Sequence, residues 1–115
     1  MPIERIDPGR RFAQAVVHGD TVYLAGHTSS HPDAGVYEQT REILAAIDGH
    51  LATAGTNKSK LLSASIWLPD IATFDEMNRA WDEWVDPANL PARATVEARL
   101  ASTDYKVEIA AIAAR

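Results

Sequence analysis

The chain has 115 residues, no cysteine and a formal net charge of −5. The lack of cysteine excludes disulfide bonds, thiolate metal sites and a cysteine nucleophile. The negative charge argues against general nucleic-acid binding, because neutralisation of phosphates supplies most of that affinity. Length and a hydrophobic share of 46% predict one folded domain over residues 1–115. We expect a cytoplasmic protein without membrane contacts, because the polar N-terminal segment lacks a signal-peptide core and no apolar run approaches the roughly 20 residues of a membrane span.

The first half of the chain predicts a β-hairpin followed by a helix. Residues 14–18 and 21–26 are rich in strand-forming residues, and Gly19-Asp20 between them suits a tight turn. From Tyr37 to Ala54 the apolar residues recur at helical spacing, and Gly55 provides a left-handed stop. The predicted buried face of this helix consists of Ile43, Leu44, Ile47 and Leu51.

The middle of the chain predicts a strand and a second helix. Leu61 to Leu68 is strand-like, and Pro69-Asp70 ends it. The helix is predicted to start at Ile71 or Thr73 and to end at Val85, because Thr73 and Glu76 have the spacing of a capping box. Its apolar stripe consists of Phe74, Met77, Trp81, and either Trp84 or Val85.

The last third of the chain predicts two further strands. Arg93 to Leu100 alternates between polar and apolar residues, and Tyr105 to Ala113 forms the final strand. This succession of elements predicts an α+β fold in which two helices cover one face of a mixed sheet. Both faces of the final strand are largely apolar over its second half. We therefore expect the open face of the sheet to contact another copy in a homo-oligomer.

Two charged residues, Arg93 and Glu108, open or interrupt these otherwise apolar strands. A guanidinium can hold a carboxylate through two hydrogen bonds, and a glutamate one strand away can hold or activate a water. The pair therefore favours a site for a small carboxylate. The residues alone leave structural roles open. Arg93 can be a solvated or ion-paired strand end, and Glu108 can pair with Lys106 or with Arg99 of a neighbouring copy.

An ordered set of short motifs connects the chain to a known family. The motifs are Val22-Tyr23-Leu24-Ala25-Gly26, Gln39-Thr40, Gly55, Ile66-Trp67-Leu68-Pro69-Asp70, Phe74 with Met77-Asn78, Pro91-Ala92-Arg93, and Val107-Glu108-Ile109-Ala110. With them the sequence resembles the RidA (YjgF) family of reactive-intermediate deaminases from end to end. Its Asn-Lys-Ser, Met-Asn-x-Ala-Trp-Asp and Tyr-Lys-Val-Glu-Ile segments resemble the YoaB-like branch.

The resemblance implies a chorismate-mutase-like α+β fold, assembled as a homotrimer with three clefts between subunits. It also implies hydrolysis of 2-imino acids, formed from enamines, to 2-keto acids and ammonia without a cofactor or a metal. By the same resemblance, Arg93 would hold the substrate carboxylate and Glu108 would position the attacking water. The expected partner is a small 2-imino or 2-keto acid, with no nucleic acid.

The remaining cleft positions depart from the best-studied family pattern. Phe12 stands where that pattern has a tyrosine, Thr95 where it has a cysteine, and Ala25 where it has a serine. Thr95 is two residues from Arg93, so both side chains share one face of the strand. The backbone around Gly26 allows a ligand to approach closely. We therefore expect Thr95, Phe12 and Gly26 to contact the substrate together with Arg93, although Phe12 can equally pack in the core.

Other functions remain open on the sequence. A trimer with the same cleft can bind small carboxylates without turnover, as a sensor. A structural, chaperone-like trimer is also open, in which Arg93 and Glu108 form an ion pair between subunits. RNA cleavage is disfavoured by the net charge and by the lack of a histidine pair in the cleft set. His27, which can line the cleft, and the other histidines show no metal-ligand spacing. Asn78 is expected to hydrogen-bond backbone loops.

Overall fold

The computed structural model describes all 115 residues, which form six strands and two helices. The strands are β1 (Ile3–Pro8), β2 (Ala13–His18), β3 (Thr21–Leu24), β4 (Leu61–Leu68), β5 (Ala92–Glu97) and β6 (Glu108–Ala114), and the helices are α1 (Val36–Thr53) and α2 (Phe74–Trp84). One sheet has the order β1-β2-β3-β6-β4-β5. Neighbouring strands are antiparallel except β4 and β5, which are parallel and connected through α2.

Both helices pack on the same face of the sheet, as predicted. The core is one cluster of 21 buried residues, drawn from α1, α2 and one face of the sheet. Ile43, Leu44, Ile47 and Leu51 are all buried, as the helical spacing of α1 predicts, and β6 buries Ile109 and Ala111 beneath the helices. Burial of this apolar surface is the main favourable term in folding, and it sets which face of each strand points toward the helices.

Several predicted boundaries differ from the structure. β1 was not predicted, because Ile6 is its only buried residue and it shows no apolar alternation. β5 ends at Glu97 rather than Leu100. The final strand begins at Glu108 rather than Tyr105, because residues before it form a turn in which the Tyr105 N–H donates to the Ser102 carbonyl at 3.2 Å.

The predicted capping box at the start of α2 is wrong. Thr73 precedes the helix but makes no side-chain cap. Its hydroxyl instead donates to the Asp70 carbonyl at 2.6 Å. Asp70 accepts from the Ala72 N–H at 2.9 Å, so it caps a short 3₁₀ turn, Ile71–Thr73, that leads into α2. The Thr73 hydroxyl therefore bonds to the backbone of the preceding turn and is not available for the predicted capping box with Glu76.

The second face of the sheet carries exposed apolar side chains. The predicted apolar positions of β5, Ala94 and Val96, lie on this open face, where Val96 is 50% exposed. Tyr23 of β3, also on this face, is 46% exposed. Neither helix has the length and apolar content of a membrane span. The cytoplasmic location stays a prediction.

Candidate functional site

Arg93 lies on the helix-covered side of the sheet, at its β5 edge. It is the register partner of Ala64, which is buried beneath the helices. The centre of its guanidinium lies 5.2 Å from the Trp81 ring centroid and 5.8 Å from that of Phe74, at cation–π distance. No carboxylate lies within 4.0 Å of it. Burial lowers the pKa of Arg93, Asp82 opposes that shift, and the side chain stays charged at neutral pH.

Thr95 follows Arg93 on the same face of β5. It is the register partner of Ile66, another residue buried beneath the helices. Its Oγ1 is buried and has no hydrogen-bond partner. Because buried hydroxyls in folded proteins are nearly always paired, the unpartnered Thr95 hydroxyl is an exception on this face of β5. The structure therefore places a free guanidinium and a free hydroxyl two residues apart on one strand.

Glu108 occupies the opposite face of the sheet. It is the register partner of Trp67 at the start of β6, and it is half-buried. Its carboxylate lies against the backbone of Gly26, so that a Cβ added there would overlap the carboxylate oxygen. Gly26 does not have a positive φ, so the close approach of the Glu108 carboxylate, rather than the backbone conformation, is what a side chain at position 26 would disturb.

Arg93 and Glu108 are not neighbours within one chain. β4 lies between β5 and β6, so the prediction that the two residues lie one strand apart is wrong. Their strands are about 9–10 Å apart, and their side chains point to opposite faces. One chain therefore carries the two halves of the predicted site without bringing them together.

Phe12 is exposed and distant from Arg93 of the same chain, and Asn78 differs from expectation. Phe12 lies in the loop between β1 and β2 and is 58% exposed, so it does not pack in the core. With four strand spacings between β2 and β5, Phe12 is about 19 Å or more from Arg93. Asn78 is half-buried, and its side chain makes none of the predicted hydrogen bonds to backbone loops.

The structure contains a histidine pair that was not predicted. The ring centroids of His27 and His50 are 4.8 Å apart, and His27 is only 7% exposed. Nδ1 of His27 hydrogen-bonds to the Ala25 carbonyl at 2.6 Å, and its Nε2 is buried without a partner. Burial is the largest effect on the pKa of His27 and lowers it, the bond to Ala25 raises it, and His50 lowers it further. The position of His50 on the apolar stripe of α1, three residues after Ile47, was the available signal.

A second unpredicted cluster attaches the loop after β3 to α1. The Glu42 carboxylate accepts from the Ser29 hydroxyl at 2.5 Å, from the Ser30 N–H and hydroxyl at 3.0 and 2.8 Å, and from His31 Nδ1 at 2.9 Å. Burial raises the pKa of Glu42, but these hydrogen bonds outweigh it and bring the pKa down to about 2. The cluster fixes the loop that follows Gly26. The chain contains no group of three or more side chains suited to a metal ion.

This mixed sheet with two helices on one face is the fold of a class of small α+β proteins with solved structures. A solved structure from Pseudomonas aeruginosa superposes with a TM-score of 0.96 at 34% identity, over 99% of both chains. A YjgF-family member from Neisseria meningitidis has a TM-score of 0.94 at 38% identity, over 100% of this chain and 96% of its own.

Sequence comparison identifies the family. The family described as endoribonuclease L-PSP matches residues 2–115. A RutC family protein from Haemophilus ducreyi is 45% identical over 112 residues, which cover 97% of this chain and 96% of the relative. The RutC family protein YoaB from Escherichia coli is 45% identical over 114 residues, 99% of each chain. The chain belongs to the RidA/YjgF family.

Proposed function

We propose that the protein hydrolyses small 2-imino carboxylates to 2-keto acids and ammonia. Arg93 anchors the substrate carboxylate, and Glu108 positions the attacking water. The observation that carries this proposal is the half-buried Arg93 guanidinium, which has no acidic partner and lies beside the unpartnered Thr95 hydroxyl. The rings of Phe74 and Trp81 restrict the water around this guanidinium, which strengthens its hydrogen bonds to a carboxylate.

The reaction needs orientation and a path for protons. The iminium carbon is already electrophilic, so a water held by Glu108 attacks it, a C–O bond forms, and Glu108 takes the proton. Glu108 then returns the proton to the nitrogen. As the C–N bond breaks, the hydroxyl gives its proton to Glu108 and the C=O bond of the 2-keto acid forms, and this proton leaves with the ammonia as ammonium. Fixing the carboxylate at Arg93 supplies the positioning that makes the water attack effectively intramolecular. The mechanism requires no cofactor.

The site is proposed to form between copies in a homotrimer. Arg93 and Glu108 lie on opposite faces, and Phe12 lies toward the other edge of the sheet. A ring of three copies that buries the exposed apolar face around Tyr23 and Val96 can bring the Arg93 edge of one copy against Glu108 and Phe12 of the next. Sedimentation of a species three times the chain mass of 12.5 kDa tests this arrangement, and a stable monomer would contradict it.

The direct test of the activity measures ammonia and keto-acid release while an amino-acid oxidase generates 2-imino acids in solution. We expect the wild type to accelerate release. Arg93→Ala should reduce the acceleration at least about 100-fold, because it removes two charge-assisted hydrogen bonds of roughly 1.5–3 kcal/mol each. Arg41→Ala, which removes an exposed arginine of α1, is the matched control and should leave the rate unchanged. No acceleration by the wild type across several side chains would refute the deaminase proposal.

A subunit-mixing experiment tests whether each site combines residues of two copies. Arg93→Ala and Glu108→Gln chains are refolded together, and each variant is inactive alone. If a cleft takes Arg93 from one copy and Glu108 from the next, each mixed trimer contains one intact cleft. Random mixing then restores about a quarter of the wild-type activity. No recovery in verified mixed trimers would contradict a cleft that combines Arg93 of one copy with Glu108 of the next.

Binding without turnover is the alternative outcome of these measurements. It predicts that 2-keto acids raise the melting temperature of the wild type but not of Arg93→Ala, while imine hydrolysis stays at the uncatalysed rate. RNA cleavage has less support from the geometry. The His27–His50 pair, which could supply acid and base groups, joins the sheet to α1 and has His27 buried. The net charge of −5 opposes RNA binding.

A further inference from the structure

Glu108 shares a small cavity with a second arginine that has no place in the proposed chemistry. The cavity measures about 260 Å³ and is lined by Trp67, Ala98, Arg99, Leu100, Ala101 and Glu108. Arg99 follows β5, where the Ala98 N–H donates to the Leu68 carbonyl at 3.0 Å and extends the pairing with β4. The backbone that carries Arg99 is therefore fixed to the sheet beside the cavity.

Arg99 and Glu108 line this cavity without forming an ion pair. The chain contains two pairs of opposite charges within 4.0 Å, and neither involves Arg99 or Glu108. The Arg99 guanidinium also makes no hydrogen bond to any other side chain. The cavity therefore presents a free anion and a free cation to whatever enters it.

We propose that Arg99 is a specificity-determining residue that binds a second carboxylate of the substrate, so that the preferred substrates are 2-imino derivatives of acidic amino acids. The inference rests on the proposed function. With the α-carboxylate at Arg93 of the adjacent copy and the reacting carbon near Glu108, the cavity that Glu108 shares with Arg99 is open to the substrate side chain. A carboxylate of the substrate side chain in this cavity can accept two hydrogen bonds from the planar guanidinium of Arg99.

The size and charge of the surroundings agree with this assignment. The cavity is smaller than the ~300–1,000 Å³ typical of drug-sized ligands, and its volume suits the end of a short dicarboxylate. The net charge of −5 repels dianions at long range. Arg99, a cation that lines the cavity, offsets this repulsion for a substrate carboxylate bound there. Because Arg99 is exposed, we expect a moderate effect of about tenfold, as for a partly solvated ion pair.

The test compares two keto acids of equal chain length, 2-oxoglutarate and 2-oxopentanoate, which differ in the second carboxylate. Binding is measured by calorimetry for the wild type, Arg99→Gln, Arg99→Lys and Arg93→Ala. The wild type should bind 2-oxoglutarate about tenfold more tightly. Arg99→Gln should lose this preference while keeping its affinity for 2-oxopentanoate, and Arg99→Lys should keep part of it. Arg93→Ala should weaken both acids.

Equal wild-type affinity for the two acids, or an equal loss of both in Arg99→Gln at unchanged melting temperature, would overturn the assignment of Arg99. The same comparison is made for turnover, with imines of glutamate and leucine generated by oxidases. Hydrolysis of both imines without an Arg99-dependent preference refutes this inference alone. An Arg99-dependent preference in binding, with no hydrolysis of either imine, refutes the proposed catalysis and leaves the Arg99 assignment intact.

Discussion

The Glu42 cluster makes a prediction whose magnitude follows from the structure. Glu42→Gln keeps the shape of the side chain but removes the charge that accepts hydrogen bonds from Ser29, Ser30 and His31. The amide can accept on one oxygen only, so at least one of these donors loses its partner. We therefore expect the variant to fold and to be less stable than the wild type at neutral pH.

The size of the effect follows from the pKa of Glu42, which is about 2 in the folded protein against an ordinary value of 4.5. At 1.36 kcal/mol per pKa unit the shift corresponds to about 3 kcal/mol. The Glu42 side chain is 31% exposed, so solvent screening reduces this to about 1–2 kcal/mol. Because the folded pKa is lowered, the stabilisation is fully present above pH 4.5 and is lost as the pH falls toward 2.

The measurement is urea unfolding of both proteins at several pH values. Glu42→Gln should lower the free energy of unfolding by about 1–2 kcal/mol at pH 7, and the difference should shrink steadily once the pH falls below about 4.5. Glu38→Gln, at an exposed position in the first turn of the same helix, controls for the general effect of removing a charge from α1. A difference that stays constant on acidification would show that the charge of Glu42 is not the source of the stability.

Three further predictions concern His27, Gly26 and Gly49. Because the folded-state pKa of His27 is lowered from 6.5, wild-type stability should fall as the pH drops below 6.5, and His27→Gln should show a smaller fall between pH 7.5 and 5.5 in the same unfolding assay. Gly26→Ala should displace the Glu108 carboxylate and reduce imine hydrolysis at least about tenfold, with little change in melting temperature because the flexible end of Glu108 can move. Unchanged hydrolysis would contradict the role of that contact. Gly49→Ala, within α1 with no atom within 4 Å of the new Cβ, should raise the free energy of unfolding by roughly 0.5–1 kcal/mol without affecting hydrolysis.

Elements with a strong local pattern were predictable from the sequence. β4 was predicted with the bounds that the structure shows, and α1 within one residue. In α1, burial on one side imposes a regular apolar spacing that a single sequence reveals. In β4, residue types that favour a pleated surface, such as Ile66 and Trp67, are the signal. β1 has one buried residue and is held mainly by backbone pairing with β2. Such pairing leaves little trace in side-chain type, so this strand could not be recognised.

The candidate site was predictable in its residues but not in its geometry. Arg93 and Thr95 are two residues apart, so the sequence predicts that they share one face of a strand. The structure places them on the same face. The relation between Arg93 and Glu108 depends on the insertion of β6 between β3 and β4, which is a long-range pairing. Local spacing carries no information on that order. The Glu42 cluster was missed for the same reason, because its donors are 11 to 13 residues away along the chain.

The central position of β6 constrains how the protein can be made. β6 pairs with β3 on one side and with β4 on the other, so before it is available the chain has two separate groups of strands, β1 to β3 and β4 with β5. During synthesis both groups must wait, with apolar strand faces uncovered, until residue 114 has left the ribosome. Such a chain is exposed to aggregation in that interval. We expect a truncation that removes β6 to abolish folding altogether, rather than to yield a smaller stable domain.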